Sequence, residues 1–226
     1  IRKAVGYVFT IHLPIAFASL LAPLLKIDPA SLMLLPLHIV LLELVIDPTC
    51  SIVLERQPAE QNVMRRKPRQ ATENILTAGG LAKSLAQGLV IFIASFGAYY
   101  TLLQIDPTNA ALARTMGLSI IILANLFLVQ VNSSQYDLAI HSLKRLARDK
   151  VMWLVWFITI AGLLIIMYTP LAGFLKLAPL NLMQLLLAVA VAAVSVFWYE
   201  IIKLIRLASA RAGRPNALKS NPRADD

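Results

Sequence analysis

From Leu32 to Leu54 the chain is apolar for about 23 residues, enough for a helix to cross a hydrocarbon layer roughly 30 Å thick. No other feature restricts the fold so sharply, because backbone in lipid must satisfy its N–H and C=O groups inside a helix or a closed barrel. Near the middle of this run stand two acids, in Leu42-Glu43-Leu44-Val45-Ile46-Asp47-Pro48. Residues four apart share one face of a helix, so both carboxylates point the same way. Pro48 has no N–H and frees a carbonyl about one turn upstream, near Leu44. Holding a charge in mid-membrane costs roughly 2.5–3.5 kcal/mol on insertion scales. Two acids and a loosened carbonyl are oxygen ligands for a cation or acceptors for a proton. Structural readings stand beside that one: an acid paired with His38 or His12, or an acid that is protonated and idle.

Similar apolar runs recur along the chain. The predicted spans are about 4–25, 32–54, 84–105, 111–132, 151–168 and 180–205. The expected fold is therefore all-α: a polytopic membrane protein with a six-helix transmembrane bundle over 1–206 and a polar tail over 207–226. Lys26-Ile27-Asp28-Pro29 and Asp106-Pro107-Thr108-Asn109 read as turns, as does Ala78-Gly79-Gly80 before the third span. Thr169 to Pro179 reads as an outer loop.

All Lys and Arg except Lys26, Arg114 and Lys176 fall at the chain ends or in the loops 55–83 and 133–150. The positive-inside rule then puts both termini and both long loops in the cytoplasm. Trp153, Trp156, Trp198 and Tyr199 suit the interfacial belt on that side. A net charge of +9 invites a nucleic-acid reading, but the basic residues lie between apolar spans, and nucleic acid is excluded as a partner. The mean hydropathy of +0.72 and 58% hydrophobic content exclude a soluble domain. Cys50 is the single cysteine, so neither a disulfide framework nor a thiolate metal cluster is expected. The start, Ile1-Arg2-Lys3, reads as a cut through a longer protein.

Few other residues can carry chemistry. His12 and Pro14 lie mid-way in the first span, and His12 can meet the carboxylates as a ligand or a proton carrier, or simply bond a carbonyl. Asn125 stands alone among aliphatic residues, as inter-helix glue or as an oxygen donor to a cation. Thr49 and Ser51 suit the backbone groups freed by Pro48. No phosphate-binding loop and no Ser–His–acid set is present, so no catalytic residue is assigned.

Three patterns carry a resemblance: Leu-Glu-Leu-Val-Ile-Asp-Pro at 42–48, Glu-Arg-Gln-Pro-Ala-Glu at 55–60 and Met-Arg-Arg-Lys-Pro-Arg at 64–69. Together they resemble the sixth membrane helix and following loop of P-type cation-transporting ATPases, in the bacterial calcium-pump-like group. Thr115-Met116-Gly117-Leu118-Ser119 with Asn125 resembles that family's eighth helix, so the chain would be membrane helices five to ten. The resemblance implies an ion-translocating membrane domain of a pump. The phosphorylated aspartate, the nucleotide domain and four further helices would be missing from this chain. ATP and Mg²⁺ would act only through those missing parts. The transported cation would be Ca²⁺ or another ion.

By the same resemblance, Asp47 matches the family's membrane aspartate. Glu43 takes the place of a ligand asparagine, Asn125 of a glutamate, and His12 of an asparagine. Ile15 and Ile46 replace a ligand glutamate and threonine, and Lys67 a loop proline. One cation site at most is expected, with Glu43 and Asp47 as primary ligands, Asn125 as auxiliary, and His12 as a fourth ligand or proton carrier. The partners would be the lipid bilayer and the missing helices and domains, in the plasma or inner membrane. The alternative is a non-enzymatic secondary carrier or channel subunit using the same acids as a relay.

Overall fold

Six helices account for the six apolar runs: α1 (Arg2–Leu24), α2 (Pro36–Pro48), α3 (Ala78–Ile105), α4 (Ala110–Ser133), α5 (Lys150–Tyr168) and α6 (Leu182–Ala212). They come from a computed structural model that describes residues 2–48, 52–53, 77–133 and 150–212. All six are long and apolar enough to cross a membrane, α2 together with the turn before it, and no strand occurs among the described residues. The 64–69 basic run, Cys50, Thr49 and Ser51 lie outside the described residues, as does the side chain of Asp47.

Helix α4 is the axis. From Ala113 to Asn132 every residue is buried except Phe127, which is half-buried. It touches each of the other five helices. A helix apolar on most of its circumference, with its few polar side chains hydrogen-bonded to neighbours, suits an interior, whereas the other helices keep exposed apolar faces. Leu20, Leu44, Phe157, Met183 and Val194 are among those exposed.

Contacts fix the directions. Ser84 Oγ donates to Gly6 O at 3.0 Å, and Gly88 meets Thr10, so α1 and α3 run parallel. Lys83 Nζ donates to Asn132 Oδ1 at 2.6 Å and Tyr99 lies against Gly117, so α3 and α4 are antiparallel. Phe127 stacks near Phe197 and Lys203 Nζ reaches Val131 O at 2.6 Å, so α4 and α6 are parallel.

The α1–α3 seam is close for a chemical reason. Pro14 has no N–H to offer Thr10, one turn back, so the Thr10 carbonyl is left out of the helix ladder. Gly88 faces that carbonyl, and a Cβ there would sit 2.7 Å from Thr10 O and 2.8 Å from Leu13 Cβ. Only glycine lets the two backbones approach so far.

Several element ends differ from the sequence expectation. Helix α2 starts at Pro36, not Leu32, because proline suits the first helical turn and drives the residue before it out of the helical region. Helix α3 starts at Ala78, so Gly79 and Gly80 are helical rather than a turn. Thr77 Oγ1 caps it by accepting from Gly80 N at 3.2 Å. Helix α6 runs to Ala212, six residues into the expected tail, through a run of good helix formers that meets Gly213 and Pro215 only afterwards. Its start is a capping box, with Asn181 and Gln184 exchanging side-chain-to-backbone bonds at 2.8 Å each.

Two connections between helices carry the same turn. Lys26 and Lys176 adopt left-handed backbone with φ of 53° and 52°. Each closes a Schellman motif: Ile27 N to Ala22 O at 3.0 Å, and Leu177 N to Ala172 O at 2.8 Å.

Candidate functional site

Helix α2 buries the strip His38, Leu42 and Ile46, spaced four apart. Glu43 therefore sits off that strip, turned about 100° from Leu42 around the helix. This rotation brings it to α1. Glu43 Oε1 lies 3.1 Å from His12 Nε2, and His12 Nδ1 lies 2.8 Å from Val8 O. A carbonyl can only accept, so Nδ1 carries a hydrogen. The pair as placed is an acid–imidazole contact between α2 and α1.

It is also open on one side. The His12 and Glu43 side chains are 42% and 37% exposed, so neither is sealed in the bundle. An apolar groove of about 350 Å³ runs beside them, lined by Ala4, Val5, Val8, Phe9 and His12.

Asn125 lies deeper, fully buried on α4, and its Oδ1 accepts from the Tyr7 hydroxyl. Its Nδ2 has no hydrogen-bond partner. No hydrogen bond or ion pair joins Asn125 to Glu43 or His12 among the described residues. Helix α1 supplies the link, with Tyr7 on Asn125 and His12 on Glu43. Asp47 follows Glu43 by one turn on α2, though its side chain lies outside the described residues. Among the described residues no three of His, Cys, Asp and Glu group closely enough to hold a metal ion. The positions where the resemblance put lost ligands, Ile15 and Ile46, are core residues.

Among the described residues His38 pairs with no acid. Its Nδ1 accepts from Leu35 N at 3.2 Å and its Nε2 donates to Leu175 O at 2.7 Å, which leaves the ring neutral and fully used. Tyr7 is not among the candidates that the sequence offers. Gln87, fully buried on α3 with neither amide atom partnered, was likewise passed over.

Residues 31–205, most of the chain, match the family described as cation transporting ATPase, C-terminus. The chain belongs to that family. Among its relatives, a calcium-transporting ATPase of Listeria monocytogenes is 33% identical over 125 residues, 51% of this chain and 14% of the relative. A calcium-transporting ATPase of Bacillus subtilis is 29% identical over 126 residues, 56% of this chain and again 14% of the relative. The chain thus spans about one-seventh of the length of either relative. Helix α1, with Tyr7 and His12, precedes the part of the chain matched by this cation-transporting ATPase family.

Proposed function

We propose that this chain is the ion-translocating membrane part of a P-type pump that moves a cation, with Ca²⁺ the first candidate, at the expense of ATP. The observation that carries the reading is the Glu43–His12 couple, an acid held in a membrane-length apolar run by a helix that precedes it. Glu43 and Asp47 are the primary ligands. Asn125 is an auxiliary ligand: a half-turn of its amide lets Nδ2 donate to the Tyr7 oxygen and frees Oδ1 for a cation. His12 is a fourth ligand or the carrier of the proton that Glu43 gives up when the cation binds.

Several features support this. The site is open toward the side where α1 and α2 have no further partner among the described residues, which suits completion by helices from elsewhere in the pump. The relatives bear the name of calcium-transporting ATPases. ATP and Mg²⁺ act through domains outside this chain, in a protein of the plasma membrane with both chain ends cytoplasmic.

The test is phosphorylation of the intact pump by ATP, measured against Ca²⁺ concentration. Asp47→Asn abolishes the Ca²⁺ dependence, and Glu43→Gln raises the half-activating concentration by about tenfold or changes the preferred ion, a shift worth about 1.4 kcal/mol. Wild-type affinity and turnover in Asp47→Asn would remove the assignment.

A further inference from the structure

Arg114 is a charged residue in the second turn of α4, and it is 2% exposed, which sets it apart from the open cations at an outer membrane face. Among the described residues no acid pairs with it. Its guanidinium is held by three backbone carbonyls: Nε donates to Leu32 O at 2.8 Å, Nη2 to Ala30 O at 2.8 Å, and Nη1 to Lys176 O at 2.5 Å. Two of these carbonyls belong to the segment that feeds α2, and the third to the connection between α5 and α6. A planar fork can satisfy three diverging acceptors at once, whereas an ammonium of the same charge cannot match that geometry.

The same plane carries other ties. Tyr99 OH donates to Ser31 O at 2.5 Å, His38 Nε2 to Leu175 O at 2.7 Å, and Ala178 N to Thr115 Oγ1 at 2.9 Å. Both connections clamped by Arg114 also carry the Schellman turns at Lys26 and Lys176. The N-terminal end of α2 is therefore tied to α4 and to the connection between α5 and α6. Glu43 lies about two turns further along that helix. A slip of one turn moves a helix by 5.4 Å, more than the whole 3.1 Å contact with His12.

We propose that Arg114 is a positioning residue for the carboxylates of α2: by gathering the carbonyls of Ala30, Leu32 and Lys176, it sets the depth and rotation at which Glu43 meets α1. The proposal rests on the transport reading above. It separates this arginine from an ordinary packing residue, because its loss changes cation affinity more than it changes the amount of working pump.

The experiment titrates Ca²⁺ against phosphorylation by ATP in the intact pump, for wild type, Arg114→Lys and Arg114→Gln, with maximal phosphorylation and thermal midpoint recorded for each. Arg114→Lys keeps the charge and loses the fork. It raises the half-activating Ca²⁺ concentration about tenfold, as expected for a sub-turn misplacement of a ligand, and leaves maximal phosphorylation within about twofold. Thr115→Val removes a weaker tie in the same plane and carries the test where the Arg114 variants fail to assemble, with a rise of about two- to threefold. Wild-type half-activation in whichever of these variants assembles, or a fall in maximal level and thermal midpoint without a shift in affinity, would overturn the proposal. Should wild-type phosphorylation respond to another cation, the titration uses that ion; should it respond to none, the transport reading fails and takes this inference with it. A Ca²⁺-dependent wild type with an unshifted Arg114→Lys removes the role of Arg114 alone.

Discussion

Tyr7 decides what Asn125 can do. With the hydroxyl present, the buried amide keeps one bond and either end can be turned to it. Tyr7→Phe removes that partner and leaves the amide of Asn125 with none, which costs about 1–3 kcal/mol for a desolvated polar group. A thermal midpoint lowered by several degrees in the purified pump is the expected outcome, and an unchanged midpoint would mean that the hydroxyl contributes nothing. At this scale the acids stand out in the sequence, because a charge inside an apolar run has no cheap structural explanation, and their role as ligands is the proposal made above. The sequence revealed the partners poorly. Tyr7, His38 and Arg114 each donate to carbonyl oxygens of helices or loops 62 or more residues away, and no spacing in the sequence encodes such a meeting. Arg114 in particular counted only as one of three cations on the outer face, yet it is the most deeply engaged of them.

Among the elements, hydrophobic run length placed all six helices, while their ends followed local chemistry that the run length ignores. Thr77, Pro36 and the Asn181–Gln184 box moved three helix starts by a few residues. The α1–α3 seam was also hidden, since it needs a proline on one helix and a glycine on another at the same height. Gly88→Ala tests it. The added methyl meets the Thr10 carbonyl and the Leu13 side chain below 3.0 Å, so α1 and α3 must part, at a cost of about 1–3 kcal/mol. Gly97→Ala on the same helix is the control, because nothing lies within 4 Å of its Cβ position. Equal thermal midpoints for the two variants would contradict the close seam; a lower one for Gly88→Ala alone supports it.

As a whole, the molecule is built around α4, with one side left unfinished. Five helices pack on that axis, and the face of α1 and α2 that bears His12, Glu43 and the apolar groove has no covering helix among the described residues. That asymmetry is what a cation site needs if its remaining ligands and its access route come from helices outside this chain. The most direct test is equilibrium binding of radioactive Ca²⁺ to the purified intact pump, compared with the Glu43→Gln/Asp47→Asn double variant. The account predicts saturable binding in the wild type and its loss in a double variant that still folds. Equal saturable binding by the two would place the ion elsewhere and contradict the account.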